Sequence, residues 1–387
     1  MNSGCFPRVR SRGVSRFAAA LSFVMLVASA CGGEPAEADK PEVVIGVLGD
    51  FSADDPVLPL RVLRGVDLAI DDYNGDTASR FTARVASFDT LGNPEGAIAA
   101  AEAAAENELL VGVIGPLAIE EILAAGEVFQ EAQLPFLIPN TTDVSIPNEG
   151  WQGFRRLVSN LAGEGQALAD AAATMGDRGP VSLLAAGPGR PSILMESART
   201  FLEDAGVEIQ RADLLDNIAE ASKAVSKSAA VIYFGPADVG GKFAKALGEA
   251  GFEGAFLASS EARQSAFAEQ AGEHAEGAIT ECVCASLDDP RLSRFVEVFQ
   301  SEFDVAPGEF AAESYEGALM ILEAIEEVGT RAGRTVEFFA SAREFRGETK
   351  TYRFNTVGDV GSAVVTLWSY EGGKWTFSGR SELQPGV

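Results

Sequence analysis

The sequence predicts an α/β protein made of two doubly wound lobes with mostly parallel sheets. Short apolar runs, typical of buried strands, alternate with segments in which apolar residues recur every three or four positions, typical of helices. This alternation extends from 43 to 142, is interrupted by a stretch rich in Pro, Asn and Gly, and restarts at 161. Strands separated by helices form right-handed βαβ units and parallel sheets. Two such runs therefore indicate two similar lobes, with a cleft between them that suits a small ligand.

The first run predicts strands and helices in strict alternation. Its strands are Val43–Leu48, Phe81–Phe88, Leu109–Ile114 and Leu134–Ile138, and its helices are Leu60–Asn74, Pro94–Asn107 and Ile119–Phe129. Asn93 followed by Pro94 is typical of an N-cap and a first helical residue.

The second run repeats this pattern and is followed by a β-rich tail. Its strands are Val181–Ala185, Val207–Ala212, Ala229–Phe234, Ala255–Ala258 and Gly277–Cys284, and its helices are Leu161–Met175, Arg190–Ala205 and Val239–Ala250. Two further helices, Leu292–Phe303 and Ala311–Val328, precede the β pattern of Tyr352–Phe377, in which Gly372-Gly373 predicts a hairpin turn.

The composition argues against several classes of function. The chain has 387 residues, a formal charge of −27 and a single histidine. Such an acidic surface repels nucleic acid, so no nucleic-acid partner is expected. One histidine and scattered cysteines poorly equip the chain for a catalytic triad or a zinc site. Neither a dinucleotide-binding glycine motif nor a P-loop is present, so we expect no enzyme, no metal and no cofactor.

The beginning of the chain is typical of a targeting signal. Residues 1–30 contain four arginines and no acidic residue before the apolar stretch Phe17–Ala30. Small residues directly before Cys31 resemble a bacterial lipobox, which predicts a lipidated Cys31 anchored to the membrane at the cell surface or in the periplasm. The alternative is a secretory signal cleaved at Ala30 without lipidation. Residues 31–42 then read as a flexible polar tether.

Two loops of the first run are the first candidates for a binding site. Gly115–Ala118 and Pro139–Asp143 each follow a predicted strand. Ligands of open parallel sheets lie in the crevice outside the carboxyl ends of the strands. Thr141 and Thr142 would supply hydroxyl and N–H donors there without adding charge. The alternative is that both threonines only cap the next segment.

Cys282 and Cys284 form a C-x-C pattern in a predicted strand. Alternation places both side chains on one face, where they could oxidise to a small ring that is strained in extended backbone. The pattern slightly favours two small buried residues instead.

Several motifs in their order resemble one known family. They are VVIGVLGDFS from Val43, FDTLGNPEGA from Phe88, VGVIGP with LPFLIPNTTD, FAAESYEGALMILEAIEEVG from Phe310, and FRGETKTYRFNTVGDVG from Phe345. The chain resembles the substrate-binding proteins of bacterial ABC importers for branched-chain amino acids, which have the type I periplasmic-binding fold.

The resemblance implies two lobes joined by a hinge of three crossings. It places the first lobe at 43–157 plus 287–357 and the second at 158–284 plus 362–380. It also implies that a small ligand, such as an amino acid, is captured by cleft closure and delivered to a membrane permease with its ATPase subunits. The alternative is a sensory protein of the same fold, which binds an amide or other metabolite and signals through a separate partner.

The resemblance also points to ligand-binding positions. Donors for a ligand carboxylate fall at Leu117–Ile119 and Thr141–Thr142, although Ile119 stands where a serine is usual. The acidic residue that holds a ligand ammonium falls at Glu261, or at Ser260 if the alignment is one residue out.

Two aromatic positions of the family are replaced by Arg190 and Pro236, which places both at the site. Arg190 would bind a further carboxylate, or pair with Glu261 or Asp238 across the cleft. The alternative is a solvated arginine just before a helix.

Overall fold

The computed structural model describes residues 40–175, 178–341, 344–361 and 363–383. The predicted signal peptide 1–30, the predicted lipidation site Cys31 and most of the predicted tether lie outside the described residues. Within these ranges, no helix is both long enough and apolar enough to cross a membrane.

The first sheet has five strands, and every neighbouring pair is parallel. The strands are β1 (Glu42–Gly49), β2 (Thr82–Asp89), β3 (Leu110–Ile114), β4 (Phe136–Ile138) and β5 (Phe154–Arg156), and the accompanying helices are α1 (Val57–Gly75), α2 (Pro94–Ala105) and α3 (Ile119–Glu131). The strand order is β2-β1-β3-β4-β5. The predicted cap is confirmed, because the Asn93 side chain accepts a hydrogen bond from the Gly96 N–H at 2.9 Å.

The second sheet has seven strands, five of them parallel. These five are β6 (Val181–Ala185), β7 (Ile209–Leu214), β8 (Ala230–Phe234), β9 (Ala255–Ala258) and β10 (Ile279–Cys282), and the helices are α4 (Leu161–Ala173), α5 (Arg190–Asp204), α6 (Ile218–Val225), α7 (Ala237–Glu249) and α8 (Ser265–Ala271). The sheet is completed by an antiparallel hairpin whose turn is Gly372-Gly373, both with positive φ, as predicted.

The remaining elements follow β10 along the chain. They are α9 (Ser293–Phe303), α10 (Ala311–Val328), α11 (Arg334–Ala340), the two-stranded ribbon β11 (Phe345–Arg346) and β12 (Thr351–Tyr352), and the hairpin strands β13 (Ala363–Glu371) and β14 (Lys374–Leu383). Short 3-10 segments lie at Ile146–Glu149, Ser260–Arg263, Gly272–Ala275 and Pro290–Leu292.

Helices α9 and α10 return to the first sheet after β10, before the hairpin β13–β14 completes the second sheet. Helix α10 packs on α1 and β3, and the approach is so close at Gly65 that an added Cβ would lie 2.3 Å from the Ala311 carbonyl oxygen. The chain therefore passes between the sheets three times: after β5, after β10 and after β12. The lobe boundaries given by the resemblance remain a proposal.

The predicted strand Gly277–Cys284 is shorter than expected, which changes the interpretation of its cysteines. Strand β10 ends at Cys282, and Cys282 and Cys284 form a disulfide with an S–S distance of 2.04 Å. The favoured interpretation of two separate buried residues is therefore wrong, although both are buried. Because the chain leaves the sheet at Cys282, the backbone need not stay extended, and the Cα atoms lie 5.1 Å apart, within the usual range for a disulfide.

Candidate ligand-binding cleft

The carboxyl ends of β3 and β4 in the first sheet and of β6 and β9 in the second border one cleft. Two adjoining cavities of about 440 and 410 Å³ lie there. Both are lined by Asn140 and Thr142 from the loop after β4 and by Arg190 at the start of α5. The Arg190 side chain thus stands where the two cavities adjoin.

Arg190 connects the two sides of the cleft through three hydrogen bonds. Its Nη1 donates to the Thr142 hydroxyl oxygen at 3.0 Å, on the side of the first sheet. Its Nη2 donates to Glu164 Oε2 at 2.5 Å, and its Nε donates to Glu261 Oε1 at 3.1 Å. The predicted pairing with Glu261 is therefore confirmed, and the interpretation as a solvated arginine is wrong. The alternative pairing with Asp238 is also wrong, because Asp238 accepts from Lys242 on the exposed face of α7.

Two buried glutamates lie near Arg190 and were not predicted as site residues from the sequence. Glu164 lies in the first turn of α4 and Glu281 in the middle of β10, and both are inaccessible to solvent. Glu281 Oε1 accepts from the Ser260 N–H at 2.9 Å. Among the described residues, Glu164 Oε1, Glu261 Oε2 and Glu281 Oε2 have no hydrogen-bond partner. Glu281 could have been suspected from the sequence, because it is an acidic residue inside an apolar run. Glu164 could not, because it resembles an ordinary acidic residue at a helix start.

Burial and mutual repulsion set the charges of this group. Loss of solvation raises the pKa of Glu164, and Arg190 opposes that rise. Loss of solvation and then the neighbouring Glu164 raise the pKa of Glu281 well above its ordinary value. Desolvation works against the Arg190 charge, but Glu164 and Glu261 outweigh it and raise the pKa of the guanidinium. Three carboxyl groups thus face one guanidinium, an arrangement that favours an additional positive group.

The two threonines of the first lobe have different roles. The Thr141 hydroxyl accepts from the Asp143 N–H at 3.3 Å, which is the local turn contact of the capping alternative. The Thr142 hydroxyl instead accepts from Arg190. Both residues line the 410 Å³ cavity.

The remaining predicted positions are distributed around the cleft. Leu117 and Ile119 line the 410 Å³ cavity, and the Leu117 carbonyl accepts from Asn140 Nδ2 at 2.8 Å. Ser260 lines the 440 Å³ cavity, whereas Glu261 reaches the site through Arg190. Pro236 is exposed at the carboxyl end of β8 and lies outside the lining of both cavities.

A second ion pair and the disulfide complete the wall of the 440 Å³ cavity. Arg263 donates to Glu309 Oε1 at 2.5 Å, and Cys282 lies beside them. Cys282, Cys284 and Glu309 are the one group of three potential metal ligands found among the described residues. Because the two sulfur atoms are bonded to each other, they offer no thiolate to a metal.

Comparisons with known proteins agree with this architecture. A family model described as periplasmic binding protein matches residues 42–356. No sequence among curated proteins matches the chain significantly. A solved ABC transporter substrate-binding protein from Desulfitobacterium hafniense in complex with Leu is 20% identical, with a TM-score of 0.68, over 87% of this chain and 100% of that one.

Two further solved structures have the same fold. A putative branched-chain amino acid ABC transporter protein from Rhodospirillum rubrum is 17% identical, with a TM-score of 0.75, over 87% of this chain and 100% of that one. A solute binding protein of an ABC transporter from Rhodopseudomonas palustris, in complex with 3,4-dihydroxy benzoic acid, is 18% identical, with a TM-score of 0.63, over 89% and 98%. The predicted fold of two α/β lobes is confirmed, and the chain belongs to the periplasmic binding protein family.

Proposed function

We propose that this chain is the extracytoplasmic solute-binding component of an ABC importer and captures an amino acid or a related small polar compound in its cleft. The observation that carries the proposal is the Arg190 network, in which one guanidinium joins Thr142 on the first lobe to Glu164 and Glu261 on the second. Groups from both lobes therefore meet at one point, which is what capture by hinge closure needs.

The carboxylate of the ligand would be held by Arg190 and Thr142. A guanidinium and a hydroxyl are matched donors for a carboxylate, and hydrogen bonds from a charged donor are the stronger ones. Leucine and 3,4-dihydroxybenzoic acid, each bound by a protein of this fold, have a carboxylate in common.

The ammonium of the ligand would be held by the carboxyl groups. Glu261 and Glu164 each have one oxygen on Arg190 and one oxygen without a partner among the described residues. An ammonium has three donors and supplies the positive charge that this acidic group lacks. An amino acid satisfies both halves of the site, whereas a benzoate satisfies only the donors.

Thermal-shift and calorimetric titrations of the purified chain with leucine, glutamate, spermidine and benzoate test this proposal. A ligand at 100 times its dissociation constant raises the unfolding free energy by about 2.7 kcal/mol. We expect a shift with an amino acid and none with benzoate. The double variant Thr142→Ala, Glu261→Ala should lower that affinity at least tenfold while leaving the stability without ligand nearly unchanged.

The matched control makes the same two replacements on an exposed face of α5, at Thr200 and Glu203, and should bind like the parent. If the cleft variant binds an identified amino acid as tightly as the parent, the site is wrongly assigned. Binding of benzoate alone would remove Glu261 from ammonium recognition. Binding of spermidine alone would show that Arg190 and Thr142 do not bind a ligand carboxylate.

We further propose that Cys31 is lipidated and holds the protein at the outer face of the membrane, where a permease and its ATPase receive the ligand. The small residues before Cys31 support this proposal. Labelling of cells with a radioactive fatty acid should mark the parent and not Cys31→Ser, while Cys5→Ser keeps the label. An unlabelled parent would favour the secretory alternative with cleavage at Ala30.

A further inference from the structure

A third cavity lies at the amino ends of strands in the first sheet, away from the cleft. It measures about 660 Å³, within the range of small-ligand sites. Its walls come from the end of α3, from the chain just before β5, and from α11 with the loop that precedes it. Because Leu134 and Gly153 on this wall precede β4 and β5, the cavity opens at the amino ends of these two strands, and the carboxyl end of β4 borders the cleft.

Arg155 is the buried charged group of this cavity. Only 4% of its surface is exposed, and its Nη1 donates to the backbone carbonyls of Gln152, at 2.9 Å, and Phe154. Its guanidinium carbon lies 6.0 Å and 5.7 Å from the ring centres of Phe339 and Phe354. These contacts fix the side chain in place, but its Nε has no hydrogen-bond partner within the described ranges.

No carboxylate in the described part of the chain compensates the charge of Arg155. No described carboxylate forms a salt bridge with it, in contrast to the adjacent Arg156, which points to the other face of β5 and pairs with Asp359 at 2.7 Å. Loss of solvation lowers the pKa of Arg155 to about 10. Carbonyl groups and aromatic rings solvate a buried cation but do not neutralise it, so an anion would find a strongly favourable partner here.

Two more arginines surround the same cavity. Arg331 and Arg334 lie exposed on its rim, and the one carboxylate of the lining, Glu337, is 3.8 Å from Arg334. Three arginines against one glutamate form a distinctly positive site on a chain whose formal charge is −27.

Two side-chain amides add donors to the wall. The Asn355 carbonyl oxygen accepts from the N–H groups of Val357 and Asp359, at 3.0 Å each, and the Gln130 carbonyl oxygen accepts from the Gln152 N–H at 2.8 Å. Since the carbonyl ends are used by the backbone, the NH₂ ends of Asn355 and Gln130 remain as donors. The cavity therefore combines guanidinium and amide donors around a space of ligand size.

We propose that this cavity is a second binding site, separate from the cleft, for a small oxyanion, either a phosphate or a compound with two or more carboxylates. Arg155 forms its floor and Arg331 and Arg334 close it from the rim, since the planar guanidinium matches both carboxylate and phosphate geometry. The inference is independent of the solute proposed for the cleft.

Isothermal titration of the full chain with inorganic phosphate and with citrate, each at constant ionic strength set by chloride, tests the site. We expect one equivalent of one of these anions to bind. The double variant Arg331→Ala, Arg334→Ala should weaken that binding at least tenfold, and Arg155→Met should abolish it. The control Arg199→Ala, Arg211→Ala removes two half-buried arginines from the second lobe, far from this cavity, and should bind like the parent.

The rim variant changes exposed side chains, so it tests the proposal even if Arg155→Met fails to fold. Binding of phosphate but not citrate would identify a phosphorylated ligand, and the reverse would identify a polycarboxylate. No binding of either anion at 10 mM, taken as roughly the upper limit for specific recognition, would overturn the proposal. Binding that the rim variant leaves unchanged would overturn it as well.

Discussion

Glu281 places a carboxyl group in the interior of the second lobe, where charge is unfavourable. Its neighbours are Glu164, Glu261 and Arg190, and the pKa of Glu281 is raised well above its usual value, first by desolvation and then by Glu164. The folded state therefore binds this proton more tightly than the unfolded state does. The contribution to stability is largest below the ordinary pKa of about 4.5 and declines as the pH rises towards the folded-state pKa.

Replacement of Glu281 by Gln should flatten this pH dependence. Glutamine keeps the oxygen that accepts from the Ser260 N–H and remains neutral at every pH. We expect the parent to lose unfolding free energy as the pH rises above the ordinary glutamate pKa of about 4.5, and the variant to lose less. Urea unfolding across this pH range measures the unfolding free energy of both proteins. The variant Glu273→Gln, at an exposed position, serves as the control. Parallel pH curves for parent and variant would contradict the assignment.

At the cleft, the sequence located residues at the ends of elements better than residues inside them. Thr142 follows a strand-like run, so the rule that ligands bind at the carboxyl ends of strands found it, whereas Arg190, at the start of α5, was found only through the family resemblance. Glu164 lies within a helix and Glu281 within a strand. In such elements the hydrophobic periodicity predicts which positions are buried, but it does not predict which side chains bind a ligand. Only the packing of α4 against β10 brings their carboxyl groups beside Arg190.

Among the secondary-structure elements, long or uniformly apolar ones were predicted from the sequence, and short or charged ones were not. Long periodic helices such as α10 and apolar strands such as β6 were found with nearly their observed bounds. The strand β5, whose residues are Phe154, Arg155 and Arg156, was missed because two arginines suggest a surface position. Both are buried, Arg156 against Asp359 and Arg155 in the wall of the 660 Å³ cavity. The eight-residue α6 and the seven-residue α8 and α11 were also missed, since a period of 3.6 is poorly defined over two turns.

The cap of α2 gives a test at this scale. The Asn93 side chain satisfies the Gly96 N–H, and Pro94 occupies the first helical position. Asn93→Ala should lower the unfolding free energy by about 1 kcal/mol, because that N–H then loses its partner. Asn93→Asp keeps an acceptor and adds a charge favourable to the helix dipole, so it should unfold at nearly the parental urea concentration. Equal destabilisation by Ala and Asp would mean that another property of Asn93 matters.

For the whole molecule, the periodic pattern predicted two lobes, but it could not predict how the chain connects them. The three passages between the sheets came from the family resemblance, since contacts of residues about 200 positions apart leave no local pattern. In the structure, Arg156 organises two of these passages. Its Nε donates to Asp359 Oδ1 at 2.7 Å, and Asp359 Oδ2 accepts from Asn160 Nδ2 at 3.0 Å. Asp359 thus links the passage after β12 to the passage after β5.

Arg156 also reaches the loop that forms the first-lobe side of the cleft. Its Nη1 donates to the Thr141 carbonyl at 3.0 Å and its Nη2 donates to the Asp143 carbonyl at 2.5 Å. The passages between the sheets and the loop after β4 are therefore held by one fully buried guanidinium. A change at the hinge should consequently be measurable in the cleft.

Asp359→Ala should destabilise the protein and weaken ligand binding together. Removal of the carboxylate leaves the Arg156 charge buried without its partner, which costs about 3–5 kcal/mol. The loop carrying Thr141 and Thr142 then loses its fixed support. The affinity for the cleft ligand should therefore be lower than in the parent even at temperatures well below the unfolding temperature, where the variant is folded. Urea unfolding and calorimetric titration measure the two effects. Glu203→Ala, which breaks an exposed ion pair on α5, should change stability by less than about 1 kcal/mol. A stability loss in Asp359→Ala with unchanged affinity would show that the hinge and the loop carrying Thr142 are not coupled. The hydrogen bonds from Arg156 to the Thr141 and Asp143 carbonyls would then suffice to position Thr142 without Asp359.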